Sequence, residues 1–297
     1  MENNILILVA CHNQQKILET DSIKAILVGA ENSKLDIYSY KDNIYDNISV
    51  KNPDFNELTA QYWAWKNMDK AITHVGFFHY RRYLSLKRTI FPKKLLPNFP
   101  KLMSCIFGFT DKNLKQLITD FDIVLPQKTD NLLYINKSVK RVSLKEHFNH
   151  HHSSNVVNEV ENIILEKFPQ YQEALYFSYN EKKSYYKNIF IMNRAYFNDY
   201  MNFMFSILFE FEAKNLDNKI TSQKRINGFI AERLLNIYIN HLVLSRKNPR
   251  IAKFSLLRVW HINIFTSQYF TKQWGKLKRR VNADYIKFIF SKLIKRG

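Results

Sequence analysis

Cysteine is nearly absent: two in 297 residues, Cys11 and Cys105. They cannot build a disulfide framework, and they lack metal-ligand spacing. Six glycines and seven prolines exclude long flexible linkers and low-complexity arms. No uncharged run approaches the ~18–20 apolar residues that span a bilayer. The opening run Ile5 to Ala10 is short, with acidic and polar flanks, and does not read as a signal peptide. A cytoplasmic compartment is therefore expected. Acids are also scarce, 26 against 45 Lys and Arg, a net charge of +19.

That excess is uneven. Arg246 to Gly297 carries 14 Lys and Arg against the single acid Asp284, or +13 of the total, which leaves +6 for residues 1–245. A nearly balanced body with a basic tail points to an anionic partner for the tail, either membrane lipid or nucleic acid. Within Tyr269 to Arg296, Val281, Tyr285, Phe288, Ile289 and Leu293 recur at helical spacing among Lys and Arg. Such a pattern suits an amphipathic helix on a membrane surface, or a helix packed on the body with a solvated basic face. The expected division is a domain over 1–245 and a basic helical extension over 246–297.

Hydrophobic residues make up 46% and aromatics 15% of the chain, enough for a sizeable core. Ile5 to Cys11 reads as a buried parallel strand, a continuous apolar run ended by His12-Asn13-Gln14-Gln15. Lys24 to Ala30, His74 to His79, Asp122 to Pro126 and Asn188 to Met192 are further strand candidates. Asn56 to Ala71 reads as a helix with Asn56 as N-cap and an apolar stripe of Phe55, Leu58, Tyr62, Trp65 and Met68. Trp63 and Lys66 fall off that stripe. Asn155 to Phe168, Tyr196 to Ala213 and Gly228 to Leu244 are amphipathic helices that make the second half more helical. Strands alternating with helices predict an α/β fold with a mainly parallel sheet, in which ligands sit beyond the carboxyl ends of the strands.

The residues behind those strands therefore carry the chemistry. His79-Tyr80-Arg81-Arg82-Tyr83 follows a buried strand directly. Two adjacent guanidinium groups there match a diphosphate, or they form a solvated pair anchored by a carboxylate. Both readings stand at this point. Glu57 and Thr59 belong to a helix's first turn, where free N–H groups favour anions. Glu57 is either a surface acid or an acceptor for a sugar or ribose hydroxyl. Glu232, near the start of a helix, is a candidate base; its alternatives are an ion pair with Arg233 or Arg225, or an exposed acid. In Lys145 to His152, His147 shares a helix face with His150 or His151, but no third ligand stands at useful spacing, so zinc is not expected.

The run NELTAQYWAWKN followed by HVGFFHYRRY, with DNISVKN, FDIVLP, NIFIMNRAYFNDY and INGFIAERL in order, resembles a bacterial family found in capsule and lipopolysaccharide biosynthesis. Its domain was long described only as of unknown function and is associated with glycosyltransferases of the A-type fold. The resemblance implies a Rossmann-like donor half and an acceptor-facing second half. It implies a nucleotide-sugar donor, UDP-hexose in type, a lipid-linked surface-polysaccharide acceptor, and an enzyme peripheral on the inner face of the plasma membrane. Behind the central strand, where A-type enzymes place a metal-holding Asp-x-Asp, stands His79-Tyr80-Arg81-Arg82. Arg81 and Arg82 are then expected to neutralise the leaving diphosphate without metal, while distant carboxylates leave Mg²⁺ or Mn²⁺ open. The donor set expected is His12, Asn13, Asp46, Glu57, Thr59, Lys66, His79, Arg81 and Arg82. The acceptor set is Asn188 and His152, the latter matching a family histidine followed by an acid where this chain has Asn155. Two rivals remain at this level: a nucleic-acid-binding protein acting through the tail, though without any recognition motif, and a non-catalytic scaffold.

Overall fold

The computed structural model describes residues 4–88, 93–95 and 100–259. The chain runs through β1 (Ile5–Cys11), β2 (Ile23–Leu27), β3 (Tyr40–Lys41), α1 (Asn52–Phe55), α2 (Leu58–Asn67), β4 (His74–His79), β5 (Arg82–Leu84) and β6 (Lys94–Leu95). Then come α3 (Pro100–Phe107), α4 (Asp111–Asp120), β7 (Ile123–Pro126), β8 (Thr129–Asp130), β9 (Leu132–Ile135), β10 (Ser138–Arg141), α5 (Leu144–His152), α6 (Ser154–Lys167) and α7 (Gln172–Asn180). The last are β11 (Lys183–Ser184), β12 (Phe190–Asn193), α8 (Arg194–Asn218), α9 (Ile226–Leu244), β13 (Ile251–Phe254) and β14 (Leu256–Val259).

The main sheet has the order β13-β7-β12-β4-β1-β2-β3. It is mainly parallel, as its apolar strands predict. Only β12 runs against its neighbours on this path, antiparallel to both β4 and β7. β1 pairs in parallel with β2 and β4, and all seven of its residues are buried. With hydrogen bonds on both edges and packing on both faces, it has no place for a polar side chain.

Alternation along the strands divides the core into two layers. Leu6, Leu8, Val75, Phe77, Phe190 and Met192 face α2, α6, α8 and α9. Ile5, Ile7, Val9, Phe78 and Ile191 face α3 and α4. Phe203, Phe205 and Leu208 of α8 are buried core residues of the first layer. Capping fixes several helix starts: Thr110 Oγ1 accepts from Asn113 N at α4, and Ser143 with Glu146 forms a capping box at α5.

Three expectations need correction. Asn56 does not cap a long helix; it sits at φ 52° between α1 and α2, so the second helix opens only at Leu58. Trp63 is buried, its Nε1 donating to Ile44 O at 3.1 Å, because α2 packs on two sides. The division after residue 245 falls between α9 and two strands of the main sheet: β13 pairs with β7, and β14 with β5 and β6. Residues 251–259 are therefore strands of the body and not part of a helical extension. The expected amphipathic helix from Tyr269 onward lies outside the described residues. Among those residues no helix is long and apolar enough to cross a membrane.

The loop behind β2 is organised by one buried acid. Asp42, fully buried, accepts from Gly29 N at 2.8 Å and Ala30 N at 2.9 Å, and from the hydroxyls of Ser49 and Thr59. Removing it takes the acceptor from two backbone N–H groups and two hydroxyls, so Asp42→Ala should destabilise the fold by about 3–5 kcal/mol in urea titration. A loss under 1 kcal/mol would mean that water replaces the carboxylate.

Candidate active site

β4 and β5 form a tight hairpin whose turn is Tyr80-Arg81, with His79 and Arg82 as cross-strand partners. Arg82 in turn stands opposite Arg258 on β14. Direct partners project from the same face of a sheet. Phe77, two residues before His79, faces the α2–α9 layer, so His79, Arg82 and Arg258 face it as well.

Three cations thus gather at the carboxyl end of the central strand: Arg81 at the turn, and Arg82 with Arg258 behind it. Like charges placed opposite each other repel, and burial adds to the strain on Arg82. Its charged form is disfavoured by burial first, then by Arg81 and Arg258, with Glu232 and Glu57 opposing. Among the described residues neither the Arg81 nor the Arg82 side chain has a carboxylate partner. Arg81 rests instead on the Tyr80 ring, 5.2 Å from its centroid. Of the two readings of the pair, the solvated one calls for an anchoring acid; Glu232 and Glu57 act on Arg82 through their charge, without an ion pair.

The histidines beside them stay neutral at physiological pH. Burial, aided by the charges of Arg81, Arg82, His12 and Arg225, pushes His79 down to about 3. His12 is lowered by burial, Arg81 and Arg225, and its ring meets Tyr80 edge-on at 5.0 Å. Within the group of His12, His79, Arg81, Arg82 and Arg258, positive charge therefore belongs to the arginines.

Facing them are the starts of α2 and α9, joined through Asn188. Asn188 stands two residues before Phe190, which pairs with Phe77, and so lies beside the end of β4. It is buried at φ 50°, outside the strand in which the sequence placed it. Its Nδ2 donates to Glu57 Oε1 at 2.9 Å and to Gly228 O at 3.1 Å, while its Oδ1 is buried without a partner. Glu57 is half-buried, and its carboxyl is raised above the usual range by burial, with the Glu232 charge adding and the Asn188 hydrogen bond and Arg225 opposing. Arg225 Nε donates to Asn56 Oδ1 at 2.8 Å, at the loop before α9.

Glu232 is placed differently from expectation. It is buried, with Oε1 accepting from Lys187 N at 3.0 Å and Oε2 from Arg233 at 3.1 Å. Arg233 is 2% exposed and lies 4.6 Å from the Phe148 ring centroid. The ion-pair reading of Glu232 is the one the geometry bears out. Glu232→Ala leaves Arg233 buried and unpaired, so a loss of about 3–5 kcal/mol is expected in chemical denaturation. A loss under 1 kcal/mol would show that the pair is solvated.

The remaining candidates separate. His12, His79, Arg81, Arg82, Glu57 and Asn188 come together. Asn13, exposed, accepts from Gln15 and from Tyr38 through its backbone. Thr59 is fully buried and donates its one hydroxyl proton to Asp42, with Asn56 O also within reach at 2.9 Å, so it is a loop brace and not an open donor contact. Asp46 accepts from Tyr62 at 3.1 Å, and Lys66 lies 3.6 Å over the Trp65 ring; both are tied to the flank of α2 and not to the arginines. His152 is buried, bonded to Gln223 Oε1 at 3.0 Å and packed on Phe229, and burial holds it at about 4. It supports the first turn of α9 without an open edge. His147 and His151 do share a face, 4.5 Å apart. Among the described residues no three His, Cys, Asp or Glu side chains form a metal-holding group.

Sequence reasoning missed Arg258 and Arg225, because nothing local announces β14 as the partner of β5, or the polar loop before α9 as part of the site. It also missed an Asp-x-Asp, Asp120-Phe121-Asp122. That motif precedes β7, at the amino end of the strand, and Asp122 is held there by Arg250 at 2.8 Å. At the carboxyl end of β4 the described residues present arginines and no metal-holding group of three acids, histidines or cysteines, and the one Asp-x-Asp of the sequence lies at the other end of the sheet.

No curated protein matches the chain. A solved structure described as the apo form of WbbM, a bifunctional glycosyltransferase, is 28% identical with a TM-score of 0.76, over 89% of this chain and 48% of that one. The chain spans about half the length of that relative. The likeness agrees with an A-type glycosyltransferase fold, Rossmann-like and mainly parallel, as the sequence predicted. The model of a family described as "Domain of unknown function (DUF4422)" matches residues 6–243, and the chain belongs to that family.

Proposed function

We propose that the chain transfers a sugar from a nucleotide-sugar donor, UDP-hexose in type, to a lipid-linked glycan of a bacterial surface polysaccharide. The observation that carries this reading is the arginine pair Arg81 and Arg82, without carboxylate partners among the described residues, at the carboxyl end of the central strand. A diphosphate supplies the anion that these side chains lack, and guanidinium forks meet phosphate oxygens bidentately. Arg258 and Arg225 extend the same positive field. As the glycosidic bond to the donor breaks, negative charge grows on the leaving diphosphate, and preorganised cations lower that barrier. The relative is itself described as a bifunctional glycosyltransferase, which supports the reaction class.

An acceptor hydroxyl must also lose its proton. Glu57 suits that role better than Glu232, whose two oxygens are already engaged. Glu57 keeps one carboxylate oxygen outside its bond to Asn188, and burial brings its affinity for a proton closer to neutral pH, where a base works best. Asn188 positions it and is not itself expected to react.

The test is a hydrolysis and transfer assay over a panel of nucleotide sugars, with and without EDTA. Turnover of one donor, unchanged by EDTA, is the expected result. Abolition by EDTA would overturn the metal-free account, and absence of turnover of any donor would overturn the reading as an enzyme. In cells, complementation by wild type but not by the double Arg81→Ala/Arg82→Ala variant is expected. Equal complementation would favour a scaffold.

A further inference from the structure

The β9–β10 hairpin stands as a two-stranded sheet of its own, and one of its faces is open. Its turn, Asn136-Lys137, has both residues at positive φ, 49° and 62°, the two-residue type that matches strand twist. Tyr134 pairs with Val139, and Leu132 with Arg141, so these side chains share a face. Tyr134 is 78% exposed and Val139 56%. Leu133, directed the other way, is buried, which seats the opposite face on the body.

The base of the hairpin is firmly tied. Asn131 is fully buried, donating to Glu181 O at 3.0 Å and accepting from Tyr186 Oη at 2.7 Å, and Arg141 pairs with Asp130 at 2.8 Å. Isolated two-stranded ladders are marginal in water, so an outward Tyr–Val pair on such an anchored ladder calls for a partner. Charge indicates which. Lys137 stands in the turn, and at the base the exposed Lys183 on β11 stands opposite Asp130, next to the exposed Lys182, while Arg141 and Lys145 are already paired with Asp130 and Glu161. Apolar side chains ringed by lysines fit the headgroup boundary of an anionic bilayer.

We propose that this hairpin seats Tyr134 and Val139 in an anionic lipid surface, with Lys137, Lys182 and Lys183 on the headgroups. β4 and β7 point the same way, both antiparallel to β12, so the hairpin leaves the sheet at the end that carries the arginines. Tyr186, bonded to its base, is followed by Lys187, whose N–H donates to Glu232. Membrane contact here holds the mouth of the candidate site beside lipid-borne molecules. It is independent of the C-terminal tail and goes beyond the proposed transfer, and its test reads membrane contact alone.

The test uses the full chain with vesicles of phosphatidylglycerol and phosphatidylcholine, and with phosphatidylcholine alone. In Tyr134→Trp the added indole should shift to the blue and be quenched by brominated acyl chains, beyond the wild-type signal and only on the anionic vesicles. Tyr134→Ser/Val139→Ser, exposed positions that leave the core intact, should bind anionic vesicles about tenfold more weakly with donor affinity unchanged. Absence of added quenching, or unaltered vesicle affinity of the double serine variant, would overturn the proposal. A dimer in sedimentation that this variant abolishes would assign the face to a second copy of the chain and overturn it equally.

Discussion

Replacing both Arg81 and Arg82 with alanine should weaken binding of a nucleoside-diphosphate donor by about 10²- to 10⁴-fold, the worth of two charge-assisted hydrogen bonds at roughly 1.5–3 kcal/mol each. Calorimetric titration with UDP reads this directly. Arg82 should dominate, because it is half-buried, and a desolvated charge meets its ligand more strongly than a hydrated one. Arg82→Lys should not restore affinity, since a point charge cannot offer the planar fork. The fold should be spared: neither side chain has a carboxylate partner among the described residues, and removing Arg82 relieves its repulsion with Arg258. Lys66→Ala, on the flank of α2, serves as the control and should leave affinity unchanged. Unchanged affinity in the double variant would place the diphosphate elsewhere.

Glu57→Gln should abolish transfer by about 10²- to 10⁴-fold, the usual worth of a positioned base, while donor affinity stays within about twofold because the amide still accepts from Asn188. The same variant should melt at a higher temperature at pH 7. The folded-state pKa of Glu57 is raised, chiefly by burial, so its contribution to stability is fully present below the unfolded value of about 4.3 and is lost as pH rises through the folded value. Above that window the buried charge is a standing penalty, which glutamine lacks. The gain in melting temperature should therefore shrink as pH falls toward 4. For the wild-type enzyme the same shift moves the acid limb of the rate profile upward in pH, because transfer needs the deprotonated form. A variant that transfers normally, or that melts lower at pH 7, would remove Glu57 from the role of base.

Some of this was legible before any coordinates. β1 and β4 read correctly to the residue, since continuous apolar runs ended by polar clusters leave little choice of boundary. The place of His79 to Arg82 behind a buried strand followed from the same runs, whereas Asn188, expected inside the strand, lies ahead of it. The errors have physical reasons. Asn56 has the composition of a cap, but its left-handed backbone breaks the helix that its spacing seemed to extend. Trp63 fell off the apolar stripe because α2 also packs on the loop that carries Ile44. β5 and β14 are too short to show alternation, and they meet across some 170 residues of chain, so Arg258 could not be placed beside Arg82 by local pattern. Thr59 was placed in the donor set because it sits in a helix's first turn, where free N–H groups favour anions; the decisive fact, the buried Asp42 behind it, is a tertiary one.

The most direct measurement is a crystal structure of the chain with UDP bound. The account predicts the diphosphate within hydrogen-bonding distance of the guanidinium groups of Arg81 and Arg82, with Glu57 facing the space where the sugar would sit. A nucleotide bound at another edge of the sheet, with both arginines turned to solvent, would contradict it.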